Sequence, residues 1–347
     1  MAYSVTAKSL YLDVVHGSFF SRAVFTACEL QLADHLQGTM TVQDLANAAR
    51  TDAPSTERLM KFLSVYGLFQ AVGTNSYCHN EASGLLRADN PYSVRHSFLL
   101  HSRVISKAMT TWPTAIRDGH SIPFQSAFDT SQSYWDFLCS ADNLELKSSF
   151  DKAMTVNTER VISSIVKEFP WQQYAGAKIV DVGGGLGHLL AALCREVESF
   201  TGEVFDLPET VVQAKHFWEE NCAEVIDRVT FSGGSFFTEI PRHGDLFLLK
   251  NILHDWSDSD CLRILTHLAS AMRLSASPAR ALLLEQVYDL PLRDASVADH
   301  DLIMFTLFRG KERATEEFRV LLEQADLQLL STTHLSSISV LSVQLKP

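Results

Sequence analysis

Apolar positions in the first third of the chain recur at helical spacing. Residues 3–16 and 19–37 read as two helices around Gly17, the second carrying Phe20, Val24, Ala27, Leu30 and Leu36. Thr41-Val-Gln-Asp44 has the form of a capping box with Asp in place of Glu, and the helix it opens runs to about Arg50. A further helix begins at Ser55-Thr-Glu, aligns Leu59, Phe62, Leu63 and Tyr66, and stops at Gly67, which can take a left-handed conformation. Residues 68–72 and 76–79 then form two short strands about Gly73-Thr-Asn75. Helices followed by a small hairpin make a winged-helix pattern.

The middle of the chain stays helical. Residues 96–116 carry a helix with a kink expected at the Trp112-Pro113 step, and Ser121-Ile-Pro-Phe124 is a loop. Ser133 starts another helix, and residues 144–168 make one long helix or two, with Phe150, Met154 and Asn157 at helical spacing. From about residue 176 the pattern changes. Apolar runs at 178–182, 203–206, 229–232, 245–250 and 280–287 alternate with helices near 186–199, 209–221 and 257–273. A last helix opens at Thr315-Glu-Glu-Phe, and 327–333 and 337–345 follow as strands. Strand–helix alternation predicts α/β architecture with a mainly parallel sheet. The expected division is a helical, winged-helix-like domain over 1–110, a helical linker over 111–175 and an α/β domain over 176–347.

Composition narrows the function classes. The chain has 347 residues, 46% hydrophobic and 20% charged, which suits a globular protein with a sizeable core. A net charge of −12 argues against a nucleic-acid partner, and the winged-helix segment 55–66 carries only Arg58 and Lys61 as cations. Its long apolar helices suit packing across a two-fold axis instead. No apolar run is long enough to predict a membrane span, and the first residues lack a secretory signal. The six cysteines are scattered without a C-x-x-C pair, so they read as reduced thiols of a cytoplasmic protein, with no zinc site expected.

The chemistry concentrates in two stretches. Lys178-Ile-Val-Asp-Val-Gly-Gly-Gly-Leu-Gly-His-Leu-Leu190 is a β-branched strand, a glycine turn and the start of a helix, the opening of a nucleotide-binding βα unit. The glycines, Gly183 and Gly185 among them, let backbone N–H groups approach a ligand closely. The pattern by itself serves a dinucleotide or a nucleoside without phosphate. Two details favour the second: the turn is not a clean G-x-G-x-x-G, and Asp181 beside it would repel pyrophosphate but welcome a sulfonium, amine or hydroxyl. Asp206, after Val204-Phe205, stands where a carboxylate grips ribose hydroxyls. The second stretch is Leu248-Leu-Lys-Asn-Ile-Leu-His-Asp-Trp-Ser-Asp258. An apolar strand delivers Lys250 to its end, His254 sits at the mouth, and Ser257 caps the next helix with Asp260 as the capping-box acid. Sites of open α/β sheets lie outside the strand C-termini, so His254 is where a catalytic base would be.

With these motifs the whole chain resembles the S-adenosylmethionine-dependent small-molecule O-methyltransferases, of the plant caffeate or isoflavone type and the animal acetylserotonin type. The resemblance implies a class I methyltransferase sheet behind a winged-helix dimerisation domain, and a homodimer. It places Glu285 and Glu312 beside His254, where they orient the base and stabilise its charged form. It assigns the donor, S-adenosylmethionine, to Asp181, Gly183, Gly185, Asp206, Leu207, Ser235, Phe236 and Lys250. It counts Phe150, Met154, Asn157, Met304 and Leu307 on the side of a small aromatic acceptor. Two departures stand out. Gly234-Ser-Phe236 replaces the usual Gly-Asp pair, so a neutral Ser235 takes the place of an adenine-reading carboxylate. Phe305-Thr-Leu-Phe-Arg309 is bulky and lacks the Asn with which phenylpropanoid-type relatives hold substrate oxygens.

The implied reaction is in-line methyl transfer to a phenolic or hydroxyindole-like hydroxyl. Ionising a phenol of pKa ~10 in advance at neutral pH would cost roughly 4 kcal/mol. A general base that takes the proton as the methyl moves avoids most of that, and no metal is required. The alternatives are a remodelled relative that binds the donor but catalyses pericyclisation, decarboxylation or hydroxylation, and a non-enzymatic winged-helix regulator.

Overall fold

The structure, a computed structural model, describes residues 10–275, 278–289, 295–308 and 310–347, with every side chain among them except those of Leu12 and Arg160. These residues fall into two compact units divided between Asn157 and Thr158.

The N-terminal unit is mostly helical. Helix α1 (Leu10–Glu29) runs straight through Gly17, and residues 3–9 of the expected first helix lie outside the described residues. A lone glycine costs a helix only about 1 kcal/mol, too little to end one with apolar positions on both sides. The break comes at Gln31, whose φ of 54° is left-handed. Helix α2 (Val42–Ala49) starts as expected, with Thr41 Oγ1 accepting the Asp44 N–H. Helix α3 (Ala53–Val65) begins before Ser55, because Asp52 caps it and Pro54 fits its first turn. Strands β1 (Met40–Thr41), β2 (Gln70–Val72) and β3 (Ser76–Cys78) pair antiparallel in the order β1-β3-β2, completing a winged-helix arrangement.

Further along, Trp112-Pro113 opens a new helix (Trp112–Asp118) rather than kinking an old one, since proline is tolerated in a first turn. Residues Pro123–Phe128 are helical where a loop was expected. A π-helical segment at His101–Ile105 had no counterpart in the sequence pattern. Helix α4 (Leu144–Glu168) is one helix, and the division between the units falls within it.

The C-terminal unit is built on β4 (Lys178–Val182), β5 (Thr201–Asp206), β6 (Val229–Gly233), β7 (Leu246–Lys250), β8 (Arg280–Glu285), β9 (Leu327–His334) and β10 (Ser339–Leu345). Their order is β6-β5-β4-β7-β8-β10-β9, with β4 to β8 parallel and β10 antiparallel to both neighbours. The apolar runs are near-continuous because both faces are covered. Val180, Val182, Phe247, Leu249 and Leu283 face one layer, with residues of α7 (Asp258–Arg273) and α9 (Thr315–Gln324). Ile179, Leu246, Leu248, Leu282 and Leu284 face the other, with residues of α5 (His188–Glu196) and α6 (Pro208–Asn221). Helix α8 (Ser296–Leu307) lies between β8 and α9 in sequence. The strand expected over 280–287 ends at Glu285, and Val287 makes an isolated bridge to Arg313. Strand β4 has its sequence successors on opposite sides, β5 on one and β7 on the other, which opens a crevice at the C-terminal strand ends.

Candidate active site

Two groups of residues stand at that crevice. The first surrounds the glycine turn after β4. Gly183, Gly185 and Gly187 have φ of 67°, 58° and 80°, values that suit glycine. The turn hangs on the neighbouring strand: Gly183 N–H donates to the Phe205 carbonyl at 2.8 Å and Gly185 N–H to Asp206 Oδ2 at 2.8 Å. Asp206 Oδ1 accepts the Leu207 N–H at 2.7 Å, while the Leu207 side chain is exposed. The carboxylate also takes a hydrogen bond from Thr210 and keeps acceptor capacity for one further donor.

Three observations fit a nucleoside donor in this cradle. A Cβ on Gly185 would enter open space, with no protein atom within 4 Å. Asp181 is buried, and its Oδ2 has no hydrogen-bond partner. The Phe236 ring comes close to Gly183, 3.6 Å from where a Cβ would stand. Burial pushes Asp181 up to about 7, opposed by the charge of Lys250, and burial also raises Asp206. Lys250 is pulled down by burial and held up by Asp181 and Glu285. Ser235 Oγ accepts the Phe237 N–H at 3.3 Å, so it shapes its own turn as well as offering a neutral acceptor.

The second group surrounds His254. Strand β7 ends at Lys250, Asn251 turns the chain with a φ of 54°, and Leu253–Asp255 form a single 3₁₀ turn. Asn tolerates this conformation better than most residues. Glu285 Oε1, at the end of β8, accepts the N–H groups of Ile252 at 3.1 Å and Leu253 at 2.8 Å. His254 Nδ1–H donates to Glu312 Oε1 at 3.0 Å, and Glu285 Oε2 lies 3.9 Å from the same nitrogen. All three side chains are buried. The structure thus brings His254, Glu285 and Glu312 together from three separate elements.

Sequence reasoning missed four participants. Asp255 Oδ1 lies 3.5 Å from His254 Nε2, so a third acid flanks the ring. Arg313 is fully buried and clamps the turn: Nη1 donates to the Leu253 carbonyl at 2.7 Å, Nη2 to that of Trp256 at 2.8 Å, and Nε to Asp258 Oδ1 at 2.9 Å. Gly310 passes so close that a Cβ there would overlap the His254 carbonyl oxygen. Asp301 Oδ1 accepts the Glu312 N–H at 2.9 Å. The signal for Arg313 was present in Lys311-Glu-Arg313, which resembles a solvated charge run until its burial is known.

The electrostatics follow from crowding. Burial opposes the charged imidazolium, but Asp255, the hydrogen bond to Glu312 and the charge of Glu285 outweigh it and raise His254 to about 10. Burial pushes Glu285 up to about 7 and Asp255 to about 6, each opposed by His254. Such a cluster shares its protons rather than assigning one to each group. His254, Glu285 and Glu312 also present ligand atoms within 4.8 Å of one another, a spacing that a metal ion would accept.

Met304 and Leu307 lie buried on α8 in this unit. Arg309 of the expected apolar stretch lies outside the described residues. Phe150, Met154 and Asn157 belong to the N-terminal unit. There Phe150 packs edge-on against Trp135 and Tyr134, while Met154 and Asn157 are exposed.

Comparison with known proteins gives this geometry a setting. Residues 111–328 match the model of the O-methyltransferase domain, and residues 12–89 match that of the O-methyltransferase dimerisation domain. Phenazine O-methyltransferase of Lysobacter antibioticus is 28% identical over 92% of this chain and 91% of its own length. O-demethylpuromycin-O-methyltransferase of Streptomyces alboniger is 32% identical over 91% of this chain and 82% of its own. An O-methyltransferase of neocarzinostatin biosynthesis, solved with S-adenosylmethionine and 2-hydroxy-5-methyl naphthoic acid, superposes with a TM-score of 0.79 at 29% identity, covering 94% of this chain and 95% of its own. With the catalytic-domain match alone spanning most of its length, the chain belongs to the family of S-adenosylmethionine-dependent O-methyltransferases.

Proposed function

We propose that this enzyme transfers the methyl group of S-adenosylmethionine to a hydroxyl of a small aromatic acceptor, with His254 as general base. The observation that carries the reading is the His254–Glu312 hydrogen bond within a ring of three acids, of which Glu285 and Glu312 are buried. Glu312 takes Nδ1–H, which fixes the tautomer and leaves Nε2 to receive the acceptor's proton. Glu285, Glu312 and Asp255 stabilise the imidazolium that forms. These acids raise His254 to about 10 before the donor binds, and once the sulfonium has displaced its proton they still favour the imidazolium, which lowers the cost of taking a phenol's proton. The donor, held by Asp181, the glycine turn, Asp206, Leu207, Ser235, Phe236 and Lys250, supplies an activated methyl group. Buried Met304 and Leu307 give α8 an apolar face suited to an aromatic ring. The acceptors named for relatives, a phenazine, an aminohydroxybenzoate and a naphthoic acid, are all aromatic.

The same reading includes a homodimer formed through the N-terminal unit, where Tyr11, Val14 and Phe19 of α1 are exposed apolar side chains. Light scattering at micromolar concentration is expected to give twice the chain mass, and an active monomer would overturn this. Free cysteines support a cytoplasmic setting, and no described helix is long and apolar enough to cross a membrane.

The test is incubation with methyl-labelled S-adenosylmethionine and a panel of phenols, naphthols and hydroxyindoles. Label in the aromatic product is expected. Donor binding without transfer to any acceptor would favour the non-methylating alternative, and no donor binding would end both.

A further inference from the structure

Glu312 faces two histidines. Its Oε1 takes the Nδ1–H of His254 at 3.0 Å, and Nδ1 of His300 lies 3.9 Å from the same oxygen. His300 stands on α8 one turn before Met304 and two before Leu307, so the three share a helix face. Met304 and Leu307 are buried, whereas the His300 side chain is 47% exposed and so open to a ligand.

The tautomer of His300 follows from its surroundings. Burial lowers its affinity for a second proton, with Glu312 and Asp299 opposing and His254 adding to the effect, so the ring is neutral at pH 7. A neutral imidazole has one N–H and one lone pair. The Glu312 carboxylate near Nδ1 favours the N–H on that side, which leaves the lone pair on Nε2. Glu312 holds the Nδ1 side of His254 by a hydrogen bond, so that ring also offers Nε2 as an acceptor once it has lost its second proton. One carboxylate therefore biases the tautomers of two neighbouring imidazoles, the first through a hydrogen bond and the second through its charge. His254 needs one hydroxyl, the one to be methylated. A second acceptor nitrogen beside it suits a second donor on the same ring.

We infer that His300 is a specificity-determining residue that accepts a hydrogen bond from a hydroxyl adjacent to the one being methylated, so that the preferred acceptors are ortho-dihydroxyarenes. The inference rests on the methyl-transfer reading and deepens it. An ether or carbonyl at the neighbouring position offers no hydrogen to Nε2 and leaves it unpaired, which is the source of discrimination.

The experiment compares 2,3-dihydroxynaphthalene, 3-methoxy-2-naphthol and 2-naphthol as acceptors for wild type, His300→Phe and His300→Gln. Wild type is expected to prefer the diol over the other two by about tenfold in kcat/KM, the scale of one net hydrogen bond and beyond the factor of two from its equivalent hydroxyls. His300→Phe is expected to abolish that preference through KM, the diol losing about tenfold more in kcat/KM than 2-naphthol does. His300→Gln keeps an acceptor oxygen and is expected to retain part of the preference. Calorimetric binding of the diol to the enzyme with S-adenosylhomocysteine gives the same comparison without turnover. A wild type that methylates naphthols without preferring the diol would refute the role of His300 alone. So would a Phe variant that keeps the preference, or one that loses all three substrates equally, since the ring would then act only through Glu312. A wild type that labels nothing in the wider panel removes the methyl-transfer reading, and the inference with it.

Discussion

Glu285 Oε1 accepts the backbone N–H of Leu253 at 2.8 Å, so a side chain at the end of one strand fixes the turn that carries His254 from another. Its second oxygen, Oε2, has no hydrogen-bond partner and lies 3.9 Å from His254 Nδ1. Glu285 therefore anchors backbone through one oxygen and supplies charge through the other. Glu312 holds the ring directly. The two acids flanking the histidine are not interchangeable.

Their difference is testable through stability. Glu285 is fully buried and raised to about 7 in the folded protein, against about 4.3 for an unfolded glutamate. Between those values the folded state holds more protons than the unfolded one, so this group's contribution is complete below the lower value and lost as pH rises to the upper. Glu285→Gln keeps the acceptor for Leu253 and removes the titration. Denaturant melts are expected to show the variant gaining on wild type between pH 4.5 and about 7, by on the order of 4 kcal/mol at most. Parallel pH curves for the two proteins would refute the assignment.

Gly185 combines a left-handed φ with open space above its Cα. A valine there has nothing in the protein to strike, but its side chain would occupy the proposed donor cradle, and its backbone conformation costs roughly 1–2 kcal/mol. Gly185→Val is expected to melt slightly earlier and to bind S-adenosylmethionine at least tenfold more weakly, about 1.4 kcal/mol. Calorimetry that finds unchanged affinity would place the donor elsewhere.

The sheet was legible because its strands are apolar on both faces and alternate with helices. The same holds for the caps at Thr41 and Ser257, where the accepting side chain and the donating N–H are three residues apart. His254 was legible from its place after an apolar strand. Asp255 was not, because adjacency in sequence does not say that its carboxylate turns back onto the ring, and Arg313 and Asp301 were not, because their roles depend on contacts between separate elements. Arg313 reaches back 60 residues to the Leu253 carbonyl, and no local periodicity records that. The break expected at Gly17 fell instead at Gln31, where backbone conformation overrode residue preference.

Arg313 provides the clearest case of such a long-range contact. It is wholly buried and donates to two carbonyls of the turn around His254 and to Asp258. Arg313→Ala would strip those carbonyls of their donor, at roughly 3 kcal/mol for hydrogen bonds to a charged group. Thermal melts are expected to fall accordingly. Arg313→Lys keeps the charge but not the fork that reaches both carbonyls, and is expected to recover only part. If the lysine variant matches wild type in melting and in kcat, the clamp contributes nothing beyond charge.

The last prediction concerns the proton on His254. Burial alone would make this imidazole a weaker base, but Asp255, Glu312 and Glu285 together raise it to about 10 in the donor-free protein. A base that strong already holds a proton at neutral pH and cannot accept another. It becomes competent when a second positive charge makes the imidazolium unfavourable. The sulfonium of S-adenosylmethionine is such a charge, and the thioether of S-adenosylhomocysteine is not. His254 and its acids are therefore expected to lose a proton on binding the first ligand and not the second. Calorimetry at pH 7.5 in buffers of different ionisation enthalpy reads this directly. His254→Ala is expected to abolish the difference in proton release between the two ligands and to tighten S-adenosylmethionine relative to S-adenosylhomocysteine, because the sulfonium no longer has to displace a proton from the imidazolium. The same variant is expected to lose about 10²–10⁴-fold in kcat, the usual contribution of general-base catalysis. Its remaining rate is expected to climb only as pH approaches the phenol's own value of ~10. Equal proton release with both ligands in wild type would mean that His254 is neutral before the donor arrives. An alanine variant with wild-type kcat and pH profile would make the histidine structural, and the non-methylating alternative would then be the better account of the site.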